Sequence, residues 1–190
     1  MKILGLGGSP KKGGFTDILL DKALEGAAAS GAGTEKIVIN SLNIKPCQDC
    51  GDCAKKCACR IDDDMDLVRK KFLEADGLVI SSPIYFGSIS AQLKTLIDRF
   101  QPEWVSKYVM KNKPARETRQ RGIFLCVAGQ EKEEYFLNAK QIVKILFTTL
   151  DIEYSGELFF GGYNKRSGDE KEKGIALKKA FELGESLAAI

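Results

Sequence analysis

The sequence contains no histidine among its 190 residues. This absence excludes catalytic triads, general bases and metal sites that depend on an imidazole, the one side chain that ordinarily titrates near neutral pH. Chemistry in this chain must therefore come from cysteine, tyrosine, carboxylates or a bound cofactor. We expect a cofactor to supply it and no catalytic acid or base among the side chains to be essential.

Other absences narrow the class of protein. No apolar run reaches the roughly 18 residues that a membrane span needs, so we expect no membrane association. The formal net charge is only +3, and no basic stripe is interleaved with aromatic residues, so we expect no nucleic-acid partner. The first residues do not resemble a secretory signal, which favours a cytoplasmic protein with reduced cysteines. The length and the ordinary composition predict one domain over residues 1–190.

Cysteine, in contrast, is concentrated in one place, since five of the six cysteines lie between residues 47 and 59. Cys47, Cys50 and Cys53 recur at every third residue, and Cys57 and Cys59 follow closely. This spacing allows several thiolates to converge on one centre, as a cuboidal iron–sulfur cluster requires. The ferredoxin spacing selects Cys57 as the fourth ligand, but the proline that should follow it is missing, so the residues alone leave Cys57 and Cys59 open.

Three other interpretations of the cysteines have to be weighed. Disulfides are rare in the cytosol. A tetrahedral zinc site also takes four thiolates, but it usually draws them from two separated pairs. The segment can also be a cysteine-rich loop that binds nothing. Three evenly spaced cysteines with two close followers favour a cluster, and a cluster needs a redox partner elsewhere in the chain.

The rest of the chain alternates between short apolar segments and amphipathic ones. The pattern predicts strands at residues 2–7, 34–40, 76–82, 121–128 and 152–160, and helices at 17–30, 63–74, 90–100, 134–150 and 169–189. Such alternation indicates an α/β fold whose five-stranded parallel sheet is covered on both faces. The cysteine-rich loop, at residues 45–62, follows the second strand. Residues 102–120 fit neither pattern, and we interpret them as an insertion.

A glycine-rich loop, residues 8–16, joins the first strand to the first helix. This arrangement offers backbone amides and a helix N-terminus to a phosphate group. It is not a Walker A loop, because Gly14 is followed by Phe15, and it does not fit the dinucleotide fingerprint. The hydroxyls of Ser9 and Thr16 suit a monophosphate. A plain turn with glycines at its bends is the alternative.

Two further loops should meet this one at the carboxyl edge of the sheet, where open α/β sheets bind their ligands. Residues 83–88 carry Tyr85 and Phe86, whose rings suit contact with a flat ring system. The loop after Ala128 adds a flexible backbone and an amide at Gly129 and Gln130. A phosphate at one end and a flat ring at the other predict a flavin mononucleotide (FMN) site. Ordinary packing of the two aromatic residues is the alternative.

Together these motifs resemble the iron–sulfur flavoprotein branch of the NADPH-dependent FMN reductase superfamily. The resemblance rests on the cysteine run and on three segments, GSPKKGGFT at residues 8–16, PIYFG at 83–87 and LKTLIDRF at 93–100, so it is strong over residues 1–100. It implies a flavodoxin-like three-layer sandwich, in which a five-stranded parallel sheet of order 2-1-3-4-5 has helices on both faces. It also implies FMN and a [4Fe–4S] cluster as cofactors.

The resemblance also selects the residues of both cofactor sites. The family's cysteine spacing, C-x2-C-x2-C-x(4–7)-C, is satisfied by Cys47, Cys50, Cys53 and Cys59. Phe15 departs from the family, because relatives usually have asparagine or serine there. The FMN-binding residues predicted from the loops and the resemblance are Ser9, Lys11, Gly14, Phe15, Thr16, Pro83, Ile84, Tyr85, Phe86, Gly87, Gly129 and Gln130.

The expected function is that of an electron-transfer flavoprotein. The cluster is expected to pass electrons between FMN and a ferredoxin-type carrier, in a homodimer or homotetramer whose second subunit closes the shallow flavin site. One alternative is an NAD(P)H-dependent FMN or quinone reductase whose cysteines are structural, zinc-binding or empty. Another is a flavin-binding or zinc-stabilised module without turnover.

Overall fold

The computed structural model describes residues 1–112, 119–166 and 169–189. Its central feature is a sheet formed by β1 (Lys2–Gly7), β2 (Gly33–Val38), β3 (Gly77–Tyr85), β4 (Ser88–Ile89), β5 (Gln120–Val127) and β6 (Ile152–Phe160). Five strands are parallel in the order β2-β1-β3-β5-β6, which confirms the predicted order, while β4 pairs only with β3, antiparallel. The chain crosses from β2 past β1 to β3, so the topological switch point lies between β1 and β3.

Helices cover both faces of the sheet. They are α1 (Phe15–Ala29), α2 (Asp52–Lys56), α3 (Met65–Glu74), α4 (Ala91–Asp98), α5 (Gln101–Trp104), α6 (Glu133–Thr149), α7 (Tyr163–Arg166) and α8 (Glu170–Ala188). The apolar sides of α1 and α8 form one core with β1, β3, β5 and β6, and those of α3, α4 and α6 form a second core on the opposite face. These three layers are the flavodoxin-like sandwich that the sequence predicts.

Helices α1 and α8 approach each other closely at two glycines. A Cβ atom on Gly184 would lie 1.8 Å from the carbonyl oxygen of Ala23, and one on Gly26 would lie 2.0 Å from that of Phe181. No side chain fits at either position without moving the helix backbones apart. This crossing positions α1, whose N-terminus follows the glycine-rich loop.

The segment predicted as a loop at residues 83–88 differs from the structure. Strand β3 continues through Pro83 to Tyr85, and a two-residue turn leads into β4. Ile84 and Ile89 pair across this hairpin and are both buried, which explains why the strand extends. Pro83 is tolerated because β1 has already ended there, so only β5 remains as a parallel neighbour.

The segment predicted as an insertion, residues 102–120, is partly helical. Helix α5 runs directly into a π-helical turn at Val105–Val109, and strand β5 begins at Gln120. Residues 113–118 of the predicted insertion lie outside the described residues. Short helix α2, within the cysteine segment, was not predicted. Among the helices in the described ranges, none combines the length and the apolar character needed to cross a membrane.

Candidate functional site

The loops that follow β1, β3 and β5 meet at the carboxyl edge of the sheet, as predicted. The amide of Gly8 donates a hydrogen bond to the carbonyl oxygen of Ser81 (2.8 Å), and the hydroxyl of Ser90 donates to the carbonyl oxygen of Gly8 (2.5 Å). On the other side, the ring of Phe15 stacks on that of Tyr163, whose amide donates to the carbonyl oxygen of Ala128 (3.0 Å). These contacts hold the three loops close to one another.

The glycine-rich loop is held in shape from inside. The Ser9 hydroxyl lies 3.2 Å from both the amide nitrogen and the carbonyl oxygen of Lys11, and it bridges them. The amide of Gly13 donates to the Asp17 carboxylate (2.9 Å), which also pairs with the Lys36 ammonium (2.7 Å). Asp17 was not predicted as a site residue. Its position as an acid in the first turn of the helix after the loop was the available signal.

The negative charge of Asp17 would repel a phosphate bound to the loop, but it is neutralised by the ammonium group of Lys36. Burial opposes its ionisation, but hydrogen bonds from Lys36 and from the amide of Gly13 outweigh this effect and lower the pKa of the carboxyl group. Burial likewise works against the charge on Lys36, yet its hydrogen bonds to Asp17 and Asp21 raise the pKa of the ammonium group. The two partners therefore remain ionised together at neutral pH.

The N-terminus of α1 provides donors for an anion. Its N-cap, Gly14, has no side chain to cap the helix, and the first amides of a helix have no acceptor within it. Thr16, in the first turn, is 4% exposed, whereas the side chain of Lys11 is exposed to solvent. Backbone amides, two hydroxyls and one exposed cation are donors that suit a phosphate monoester.

The side chain of Phe15 belongs to the core. It is 7% exposed, and its ring contacts Phe160 edge-on, with centroids 4.9 Å apart, as well as Tyr163. Only the backbone of Phe15 therefore remains to contact a phosphate. The aromatic side chain at this position therefore adds packing next to the loop.

A cleft of about 300 Å³ lies between the second and third loops, a volume at the lower end of the range for small-molecule sites. It is lined by Ile84, Phe86, Gly87, Ala128, Gly129, Gln130 and Tyr135. Five of these residues were predicted. Pro83 is instead buried within β3, Tyr85 is about half exposed and does not line the cleft, and Tyr135 was missed because it lies on α6, far along the chain.

The tip of the β3–β4 hairpin stands at the edge of this cleft. Phe86 and Gly87 both have positive φ angles, 50° and 74°, as in a type I′ turn. The carbonyl oxygen of Gly87 accepts a hydrogen bond from Asn138 (2.8 Å), and a Cβ atom on Gly87 would lie 3.1 Å from the Tyr135 ring. The turn is thus fixed to α6, while the ring of Phe86 is fully exposed.

The cysteine segment lies outside both cores. No residue from Lys45 to Asp64 is buried, and the backbone turns through left-handed conformations at Asp49, Gly51 and Cys57. Burial raises the pKa of the Cys53 thiol, and the nearby thiols of Cys47 and Cys50 act in the same direction. Within the described ranges, no group of three or more cysteines or carboxylates is arranged closely enough to hold a metal ion.

The chemistry of the donor set nevertheless fits a thiolate-ligated centre. Five thiols lie within one short segment outside the core, and those of Cys47 and Cys50 lie close enough to Cys53 to raise its pKa. Thiolates repel at close range, so the metal itself supplies the attraction that closes such a site. Cys57 ends α2, where its amide donates to the carbonyl oxygen of Cys53. Cys59 instead accepts a hydrogen bond from Arg99, a buried residue that was not predicted.

The comparisons with known proteins agree with this geometry. The family model described as NADPH-dependent FMN reductase matches residues 1–143. An iron–sulfur flavoprotein from Methanocaldococcus jannaschii is 34% identical over 194 aligned residues, which cover 100% of this chain and 97% of that protein. The alignment therefore leaves no large region of either chain unmatched.

Solved structures share the fold at lower identity. A flavone reductase matches with a TM-score of 0.75 and 23% identity over 99% of this chain, which spans 62% of that protein. The NAD(P)H:quinone oxidoreductase from Methanothermobacter marburgensis matches with a TM-score of 0.74 and 19% identity, over 100% of this chain and 98% of that one. At these identities the matches show the flavodoxin-like fold alone.

Fold, loop arrangement and family model define a flavin oxidoreductase family. The chain belongs to the NADPH-dependent FMN reductase family and, by its full-length similarity, to the iron–sulfur flavoproteins within it. The resemblance identified from the sequence motifs is thereby confirmed.

Proposed function

We propose that this protein is an electron-transfer flavoprotein, in which a [4Fe–4S] cluster passes electrons between FMN and a ferredoxin-type partner. The observation that carries the proposal is the joint presence, in one chain, of a phosphate-and-ring site at the sheet edge and of five closely spaced cysteines. The full-length similarity to an iron–sulfur flavoprotein supports this combination.

The glycine-rich loop and the cleft divide the binding of FMN between them. Ser9, Thr16 and the first amides of α1 would hold the phosphate, with Lys11 and Gly14 beside them. The β3–β4 hairpin and the third loop would contact the flat ring, through the residues that line the cleft. Bound FMN supplies one- and two-electron chemistry, whereas the chain binds and orients it.

The cluster ligands that we propose are Cys47, Cys50, Cys53 and Cys59. The first three belong to every candidate set. Cys59 is favoured as the fourth ligand because its sulfur accepts a hydrogen bond from the buried Arg99. Cys57 instead has a left-handed backbone conformation, directly after the end of α2. Lys55, Lys56 and Arg60 are exposed nearby and would offset part of the cluster's negative charge.

We infer that the protein acts as a homodimer or homotetramer. Large apolar side chains are exposed along α5 and the π-helical turn, beside a groove of about 290 Å³ between α4, α5 and α6. They are Trp104, Tyr108, Val109 and Met110. Contiguous apolar surface of this kind is typical of a protein interface. Light scattering of the holo-protein tests this inference, and a monomer at micromolar concentration would contradict it.

The experiment for the electron-transfer function compares two electron donors. Anaerobically purified protein is mixed with NADPH or with a reduced ferredoxin, and flavin and cluster absorbance are followed separately. We expect the reduced ferredoxin to reduce both centres faster than NADPH does. Rapid reduction by NADPH of a protein that contains FMN but no iron or sulfide would contradict the proposal.

That contrary result would identify the second candidate, an NAD(P)H-dependent FMN or quinone reductase whose cysteines are structural, zinc-binding or empty. One observation favours it: the cysteines in the described residues are not gathered around a common centre. The description of the family points the same way. Zinc content then separates a structural zinc site from empty thiols.

A further inference from the structure

Arg99, directly after α4, is the most deeply buried charged residue in the described part of the chain, with 1% of its surface exposed. Its guanidinium pairs with the Asp63 carboxylate at 2.5 Å. It also donates to the carbonyl oxygens of Lys45 (2.8 Å) and Ile61 (3.4 Å), and to the sulfur of Cys59 (3.4 Å). Apart from Asp63, each of these acceptors of the guanidinium is thus a residue of the cysteine segment.

The positions of these partners along the chain are informative. Lys45 precedes the first cysteine of the segment, whereas Ile61 and Asp63 follow the last one. Asp63 adds a bond of its own, because its carboxylate accepts the amide of Lys45 (2.9 Å). The buried Arg99 and its counter-ion therefore join the two ends of the cysteine segment, next to the hydrogen bonds between Asn43 and Asp64.

These hydrogen bonds help to order a segment that has little apolar burial. The segment has no buried residue, so apolar burial does not offset the conformational entropy lost on ordering it. The planar guanidinium carries five donors in a fixed fork, whereas the ammonium group of lysine carries three on a flexible stem, so an arginine can reach more acceptors at once. An arginine at this position fixes the ends of the segment while leaving its middle free to close on a ligand.

We propose that Arg99 is the positioning residue of the cluster site. It holds the cysteine segment closed and presents Cys59 to the cluster with its sulfur hydrogen-bonded. Hydrogen bonds to the sulfurs are among the factors that set the reduction potential of a cluster, so this contact also raises the potential. The inference deepens the proposed function and rests on it for the cluster, but the fastening of the segment does not depend on any metal.

Arg69 provides a matched control. Its guanidinium lies in the same network, where it donates to the carbonyl oxygen of Arg99 and pairs with Glu103 (2.8 Å) and Asp66 (3.0 Å). It has no hydrogen bond to the cysteine segment among those of the described residues. Arg69→Lys thus disturbs the surroundings of Arg99 without removing a bond to the segment.

The first experiment uses metal-free protein. Hydrogen–deuterium exchange of residues 45–63 is compared among the wild type, Arg99→Lys and Arg69→Lys. We expect at least a severalfold faster exchange in this segment for Arg99→Lys, and wild-type exchange there for Arg69→Lys. Equal exchange in all three proteins would overturn the fastening role.

The second experiment measures the cluster. Two variants keep the local net charge: Arg99→Lys, and the double variant Arg99→Gln with Asp63→Asn. The double variant leaves no unpaired buried charge, so it serves as the second test if Arg99→Lys folds poorly. We expect a partial loss of iron and a midpoint potential shifted to more negative values in the protein that retains a cluster. An unchanged potential at full iron content would overturn the contact with Cys59. Wild-type protein that takes up no iron would instead overturn the proposed function, and exchange would then decide the role of Arg99 alone.

Discussion

The FMN region and the cysteine segment of this protein are stabilised in opposite ways. The glycine-rich loop lies against a buried sheet, with Ser9 and Thr16 nearly inaccessible and Gly8 bonded to β3. The cysteine segment contributes no side chain to either core, and its ends are fastened by hydrogen bonds of Arg99, Asp63 and Asp64. The fold therefore shapes the glycine-rich loop, whereas the proposed cluster would have to draw the cysteines together around it.

The largest effect is expected for Cys59→Ala, which removes a proposed ligand. We predict loss of the cluster's visible absorption, while Cys57→Ala keeps most of it and retains about four iron atoms per chain. Iron, sulfide and absorption spectra of both anaerobically purified variants provide the measurement. The reverse outcome would assign the ferredoxin-like spacing to this protein, with Cys57 as the ligand.

The next largest effect should come from the helix crossing beneath the phosphate site. In Gly184→Ala the new methyl group meets the carbonyl oxygen of Ala23, so we expect a loss of about 3 kcal/mol in the free energy of unfolding. Urea denaturation of the metal-free protein measures it. Gly174, in the same helix, has open space around it, and Gly174→Ala should stabilise the protein by about 0.5–1 kcal/mol. Similar midpoints for the two variants would refute the close crossing.

Thr16→Asp is expected to weaken the binding of FMN without affecting the cluster. It places a negative charge beside the FMN phosphate, and we expect roughly 100-fold weaker FMN binding from this repulsion. Fluorescence titration of the FMN-free protein measures the dissociation constant, and iron content should stay at the wild-type level. Thr34→Asp adds the same charge at the opposite edge of the sheet and should leave FMN binding unchanged. Equal affinities for both variants would remove the glycine-rich loop from the site.

The smallest effect concerns pH. Folding lowers the pKa of Asp17 below its unfolded value of 3.8, so its ion pair stabilises the protein fully at neutral pH. This contribution is lost as the pH falls below the unfolded pKa and then through the lower pKa of the folded protein. Asp17→Asn should lose about 1–2 kcal/mol at pH 7 and little at low pH. Urea denaturation across this range tests the prediction. Asp21→Asn, whose carboxylate also pairs with Lys36 but is half exposed, should cost less. A pH-independent difference for Asp17→Asn would contradict the linkage.

The sequence predicted the sheet around the glycine-rich loop well because its signals are local. Strands β1 and β6 were predicted at their observed bounds, and β1 was the clearer of the two because it is a short apolar run that ends at the glycine-rich loop. The hairpin at Pro83 was missed because proline normally argues against a strand, and the buried pair of Ile84 and Ile89 that extends the strand becomes visible only in three dimensions.

The surroundings of the cysteines could be predicted less well. The spacing of the thiols indicated the chemistry, but the contacts of Arg99 come from a residue that follows α4, forty positions after Cys59. A signal for Arg99 did exist: it follows Leu93 and Leu96 at three-residue spacing, on the apolar side of α4, where a charged residue needs a buried partner. Sequence alone did not reveal that this partner was Asp63.

The most direct test of the account is the cofactor content of the wild-type protein purified without oxygen. We predict about four iron atoms, about four sulfides and about one FMN per chain, without stoichiometric zinc. This result would establish that one chain combines a site shaped by its fold with a site closed by its metal. Stoichiometric zinc, or FMN without iron and sulfide, would contradict the central claim.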